Sequence, residues 1–340
     1  GRTEWKLIKA FILAPSFILW YNLKHSIYRV EGVIMKKEKI ISVGGQAVIE
    51  GVMMKSPEGI ATAVRRPNGE IVYRKKTLGK SNAKLMKIPF VRGVVILLES
   101  LFVGTGELTF AANQSGEEEE ELTKGQLIGT LALSLLLGMG LFMILPSLVA
   151  GFIFHNSLGM ANVLEGILRV VIFLSYIYFI SLNKDIKRVF QYHGAEHKSI
   201  YVFENKEELE HENAKKYTTL HPRCGTSFLF IVMMISILVY SIADSFIPQP
   251  ETLLMKQLLK VGVRFGFMPL IAGIAYELQR YSSRNLGNPI IKLLAAPGLA
   301  LQKITTGEPD ESQLEVSMTA LRASLNMEVN NAINIEEEQK

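Results

Sequence analysis

The sequence predicts an α-helical integral membrane protein of about four transmembrane helices, with a small antiparallel β-rich N-terminal unit and a C-terminal helix, both cytoplasmic. Three observations carry this prediction. The chain of 340 residues has a mean hydropathy of +0.23, higher than is usual for a soluble protein. Its apolar residues are clumped into runs near the ~20 residues that a bilayer requires. Between two such runs lies a polar stretch holding four of the six histidines and the single cysteine.

The runs that read as spans cover 126–154, 162–182, 226–247 and 257–276. Lys184, Lys187 and Arg188 follow the second and Arg223 precedes the third, so the positive-inside rule places the segment 184–225 in the cytoplasm. An even number of spans then puts both termini on that side of the plasma (inner) membrane. Residues 88–112 are apolar but carry Arg92, Glu99 and Glu107. If they crossed, the β-rich unit and the 184–225 segment would face opposite sides, so 88–112 reads as interfacial or re-entrant within a membrane domain spanning 88–305. Ionisable residues near the spans, namely Glu165, Arg169, Asp244, Lys260 and Arg264, are few and lie mostly towards the ends, which argues against ion transport.

The β-rich unit, placed at 35–87, has short runs at Ala47-Val48-Ile49, Ile60–Val64 and Ile71–Tyr73. Pro67-Asn68-Gly69-Glu70 is a hairpin turn between the last two. Gly44-Gly45 reads as a tight turn, since no Lys-Ser/Thr phosphate loop follows. The unit is too small for a core of its own and should pack on the following helices or on the His-bearing segment. Basic residues dominate 65–92, which suggests contact with anionic lipid at the cytoplasmic face. The net charge of +5 is local in this way, and no aromatic and basic stripe points to nucleic acid. A lone cysteine excludes an internal disulfide and suits a reducing compartment.

Residues 1–34 lack methionine and precede Met35-Lys36-Lys37, so they read as upstream readthrough or as an interfacial segment. Glu117–Glu121 reads as a solvated acidic linker, and Asn288–Lys303, interrupted by Pro297-Gly298, as an amphipathic segment lying on the membrane. In the terminal part, 306–340, Asp310–Leu325 reads as a soluble helix and everything after about Glu328 as disordered.

The chemistry concentrates in His193-Gly194-Ala195-Glu196-His197. On a helix, imidazoles at i and i+4 share one face and can hold one divalent ion, zinc by ligand preference. Glu196, beside the second ligand, is placed to take a proton from water made acidic by the ion. Zinc catalysis usually needs a third protein ligand, for which His221, Cys224, Glu277 and Glu50 are candidates. Gly194 counts against a helix, costing about 1 kcal/mol relative to Ala. Glu277 has a competing reading as a partner of Arg280 or Arg284 at a helix end. The competing reading of the whole protein is a non-catalytic membrane adaptor or assembly factor, with a structural metal or none, acting through a homo-oligomer or a membrane-protein partner.

Four words occur together and in order: Gly44-Gly45-Gln46-Ala47-Val48-Ile49-Glu50-Gly51-Val52-Met53-Met54, Gln191–Lys198, Leu220-His221-Pro222-Arg223-Cys224-Gly225-Thr226-Ser227, and Thr306-Gly307-Glu308-Pro309-Asp310. In these the chain, from about Lys39 to about Leu325, resembles the YqhQ-like bacterial membrane proteins, domain-of-unknown-function family 1385. The resemblance implies a predicted metal-dependent membrane enzyme without a settled reaction. It also implies that His193, Glu196, His197, His221 and Cys224 stand at the family's motif positions and that Met35 is the start. A metal-dependent hydrolase with a cytoplasm-facing site is the function this reading favours.

Overall fold

The computed structural model describes residues 43–77, 85–116 and 124–335, except 247, 249, 251 and 286. The chain divides into residues 1–41 and a unit beginning at Ser42. The readthrough segment, the acidic linker and the last five residues lie outside the described residues.

Four antiparallel strands, β1 (Gly44–Val48), β2 (Gly51–Lys55), β3 (Ile60–Arg65) and β4 (Ile71–Lys76), pair in chain order. Gly51 lies opposite Val64 and Val64 opposite Val72, so the side chains of the three central strands alternate in phase. The segment after Glu328, expected to be disordered, adds a fifth strand. Here β5 (Ile333–Asn334) runs parallel to β4 with Val72 opposite Ile333. Apolar Ile333 and Ile335 pack beside Val72 and Phe110, which gives this short strand a reason to dock.

Gly44-Gly45, expected to form a turn, is strand β1 itself. A Cβ on Gly45 would lie 2.6 Å from the Met53 carbonyl oxygen and 3.1 Å from the Glu196 carboxyl carbon. The glycine therefore serves a close approach of β1 to the helix carrying Glu196.

One face of the sheet is covered by α1 (Val91–Ser115), where Val48, Met53, Val64 and Val72 meet Phe110 and Ala111. The other face is covered by α5 (Lys184–Glu204) and α10 (Glu311–Ser324). There Val52, Met54, Ala63 and Ile71 join Tyr192, Ala195, Ile200, Leu314, Met318 and Leu321. Asn183 caps α5 by accepting from the Asp185 amide at 2.8 Å. A capping box of Asp310 and Gln313 starts α10, with amide-to-side-chain distances of 2.9 and 3.0 Å. The strands thus share one layered body with segments more than 100 residues away in sequence.

The basic residues of the sheet are engaged inside this body. Arg74 and Lys76 reach the buried Glu107 carboxylate at 2.9 and 2.8 Å, and Thr62 donates to it at 2.7 Å. Arg65 pairs with Glu315 at 2.8 Å, and Arg66 donates to Gln114. Among the described residues, the charges of Arg65, Arg74 and Lys76 are therefore spent within the fold.

The apolar helices are α2 (Lys124–Met139), continued through a π-helical turn at Gly140–Ile144 into α3 (Leu145–Ile153), then α4 (Leu158–Ser181), α7 (Gly225–Asp244) and α8 (Leu253–Arg284). Together with α1, five described helices are long and apolar enough to cross a membrane, where the sequence reading counted four spans. Two further α-helices are the five-residue α6 (His211–Lys215) and the 17-residue α9 (Pro289–Thr305). Pro297-Gly298 does not break α9: the helix continues, and Gly298 sits so close to Ser227 in the first turn of α7 that a Cβ would be 2.9 Å from it.

The charged residues of the spans lie towards helix ends, Asp244 being the last residue of α7, but they form one network. Glu165 of α4 is buried against Arg169, Lys260 and Arg264, with Lys260 at 3.0 Å, and Lys260 also pairs with Asp244 at 3.1 Å. Arg264 donates to the Met143 carbonyl at 2.9 Å and Lys260 to the Ser147 hydroxyl at 3.2 Å, so this network ties four apolar helices together. Buried charges in such a place persist only when paired.

Candidate metal centre

Helix α5 presents His193 and His197 one turn apart, with their ring centroids 4.5 Å from each other. Gly194, which weakens a helix in isolation, is required here. A Cβ at that position would lie 2.0 Å from the Gly307 carbonyl oxygen, where the Thr306-Gly307 segment crosses the helix. The Gly307 amide donates to the Phe190 carbonyl at 2.7 Å and fixes that crossing.

The crossing also orients the first imidazole. His193 Nδ1 lies 2.9 Å from the Thr305 carbonyl oxygen at the end of α9, and His197 Nδ1 contacts the Thr219 carbonyl oxygen. A carbonyl only accepts, so each Nδ1 carries the proton and each Nε2 is left with a lone pair. His193 Nε2 is 3.1 Å from Cys224 Sγ. His197 Nε2 is buried and has no hydrogen-bond partner. One ligand atom from each of His193, His197 and Cys224 lies within 4.8 Å of the others.

Cys224 arrives from a different direction, as the N-cap of α7. Its sulfur accepts from the Thr226 amide at 3.4 Å and lies 3.1 Å from the Thr226 hydroxyl, at the N-terminus of the helix. Two imidazole nitrogens and a thiolate are a zinc donor set. At zinc bond lengths such atoms would stand roughly 3.3–3.6 Å apart; His193 Nε2 and Cys224 Sγ stand 3.1 Å apart, and the three atoms together lie within 4.8 Å. The residues present fit a divalent ion, and the Thr305 and Thr219 carbonyls supply the outer hydrogen bonds that metal-ligating imidazoles usually have.

The other third-ligand candidates are held elsewhere. His221 is buried, but its Nδ1 accepts from the Arg223 amide at 3.3 Å, which puts its proton on Nε2, 3.7 Å from Glu204. Its backbone is clamped by the fully buried Gln302, which accepts from the His221 amide at 2.7 Å and donates to its carbonyl at 2.9 Å. Burial lowers the pKa of the His221 ring, with Glu196 acting in the opposite sense, and a neutral ring results. Glu277 does not approach the histidines as expected. Both its oxygens are taken by Arg92, one at 2.6 Å, and it accepts from the Phe90 amide at 3.2 Å. The α8 residue that does reach this spot is Gln279, whose amide donates to the Cys224 carbonyl at 3.0 Å. Glu50 is likewise committed, to Arg188 and Tyr192.

Glu196 lies on the side of α5 that faces β1, with one carboxylate oxygen buried and unpartnered. Burial raises its pKa above the usual carboxylate range, opposed by His193, His221 and the Gly45 amide. A buried carboxylate with a free oxygen and a raised pKa is suited to accept and return a proton. Thr219, Thr305, Gln302 and Gly45 carry no sequence signal for these roles. Three act through backbone atoms, and Gln302 is an ordinary residue of an amphipathic helix.

Five apolar helices joined to a layered polar body, with a His, His, Cys cluster at the junction, define a multi-pass membrane protein with a candidate metal centre. The model of the family described as "Protein of unknown function (DUF1385)" matches residues 88–327, and the chain belongs to that family. It is 34% identical over 314 residues to "Uncharacterized protein YqhQ" of Bacillus subtilis (strain 168), covering 86% of this chain and 96% of that protein. No solved structure matches.

Proposed function

We propose that this chain is an integral membrane metal-dependent hydrolase whose centre faces the cytoplasm. His193, His197 and Cys224 would hold one divalent ion, zinc by donor set, and Glu196 would be the general base. The observation that carries this reading is the pair of Nδ1–carbonyl contacts, which leave both Nε2 lone pairs available as ligands beside a thiol at a helix N-terminus, His193 Nε2 within 3.1 Å of its sulfur. An ion bound there supplies Lewis acidity and lowers the pKa of water. The chain's own residues do the rest. The two carbonyls hold the imidazoles in one tautomer, Gln302 clamps the His221 backbone while the Arg223 amide turns its ring out of the ligand set, and Glu196 keeps one oxygen free to take a proton and pass it to a leaving group.

A closed structural zinc would use four protein ligands. The three-residue cluster, with His221 turned to Arg223 and Glu204, favours an open position over the adaptor reading. Four crossings with α1 alongside is the arrangement we favour for the membrane. Along α1, Gly93 touches Gly273 and Tyr276 near the end of α8, while Glu99 and Glu107 pair with strands. A helix so engaged with the sheet along its length is better placed beside the cytoplasmic body than across lipid. Lys184, Lys187, Arg188 and Arg223 support the cytoplasmic side.

Cobalt substitution tests the ligand set. The Co2+-loaded full-length protein is expected to show tetrahedral d–d bands with a thiolate charge-transfer band, the latter lost in Cys224→Ser while binding persists more weakly. A cobalt spectrum identical in wild type and Cys224→Ser would remove the cysteine from the centre and with it this assignment.

A further inference from the structure

The sulfur of the candidate centre belongs to the residue that caps α7, so the centre stands where an apolar helix begins. Helix α9 crosses at the same depth, with Gly298 against Ser227. The same helix delivers the Thr305 carbonyl to His193 and the Gln302 amide to His221. Its outer face is apolar and uncovered: Ile290, Leu293 and Leu294 are 66%, 74% and 57% exposed. Beside this face Lys292, Lys303 and, from the end of α8, Arg284 are exposed and have no carboxylate partner among the described residues. They contrast with Arg65, Arg74 and Lys76, whose charges the fold consumes. Uncovered leucines flanked by unpaired cations are what an interfacial helix offers to anionic lipid, apolar side chains for the acyl region and ammonium or guanidinium groups for the phosphate.

We propose that the exposed side of α9, together with the end of α8, binds the headgroups of anionic phospholipids, and that such lipids are the substrate class of the centre. The proposal rests on the metal-dependent hydrolase reading above. Because α9 holds two of the three histidines in place, a lipid seated on it is presented to the same helix that orients the centre. Hydrolysis would add one water across one ester bond of the lipid, hydroxyl to the acyl or phosphoryl centre and hydrogen to the departing alcohol oxygen. No co-reactant is needed.

The test uses the full-length protein in neutral detergent, loaded with Co2+, and titrated separately with short-chain phosphatidylglycerol, short-chain phosphatidylcholine and inorganic phosphate. Phosphatidylglycerol is expected to perturb the cobalt spectrum and raise the unfolding midpoint; the other two should do neither. A triple variant Arg284→Gln, Lys292→Gln, Lys303→Gln should bind cobalt like wild type and need on the order of a hundredfold more phosphatidylglycerol, from three cations each worth about fivefold. Equal responses to the two lipids, a response to phosphate alone, or a triple variant that titrates like wild type would overturn the proposal. So would a response to a juxtamembrane peptide in place of lipid. If cobalt does not bind, the metal reading fails by itself, while the shift in unfolding midpoint still decides whether the lipid site exists.

Discussion

Replacing Glu196 with Gln is expected to leave the fold and the metal content unchanged and to reduce turnover by roughly 10²- to 10⁴-fold, the usual contribution of a positioned general base. The carboxylate is buried, with one oxygen free and the other side of the group against Gly45, and it is not among the three residues whose ligand atoms cluster. A Gln amide keeps the size and can still accept from the Gly45 amide, so little should change except the ability to take a proton. The measurement is hydrolysis of phosphatidylglycerol vesicles, together with rescue of a deletion strain and metal content of the same preparation. An adaptor with a structural metal predicts full rescue by the Gln variant, and that result would shift the assignment to the non-catalytic reading.

The second large effect lies far from the centre. Glu165 faces Arg169, Lys260 and Arg264 inside the helix bundle, all of them buried. Glu165→Gln would leave three cations with only Asp244 as a nearby carboxylate, and removing one member of a buried ion pair costs about 3–5 kcal/mol. In mild detergent the unfolding midpoint should fall by roughly 10 °C. Adding Lys260→Met to the same chain removes one of the orphaned cations and should recover part of the loss. A Glu165→Gln midpoint within ~2 °C of wild type would mean that the network is solvated and does not hold the bundle together.

How much of this was legible in the sequence depended on where each signal resides. The i, i+4 histidines, Glu196 and Cys224 are chemically distinctive side chains at a readable spacing, and the structure does bring His193, His197 and Cys224 together. The long apolar runs were visible because span length is a property of composition. Other features were not legible because they depend on what comes near in three dimensions. Gly45 reads as a turn until Met53 and Glu196 are seen beside it, and Gly194 reads as a helix defect until Gly307 crosses over it. Glu277 had the right depth, but Arg92, nearly 200 residues earlier, holds both its oxygens, and no local pattern announces that pairing. The five charges of the spans lie on three stretches far apart in sequence, at 165–169, 244 and 260–264. Only the packing of α4, α7 and α8 makes them a single network. Strand β5 escaped because two residues of pairing leave no periodicity to detect.

The central claim is that His193, His197 and Cys224 hold a metal ion, and elemental analysis of the purified full-length protein addresses it most directly. Wild-type protein, purified without chelator and passed through a desalting column, should carry about one zinc per chain, and a folded His193→Ala, His197→Ala variant close to none. The same near-zero content in both proteins after loading with zinc, or the same full content in both, would contradict the account.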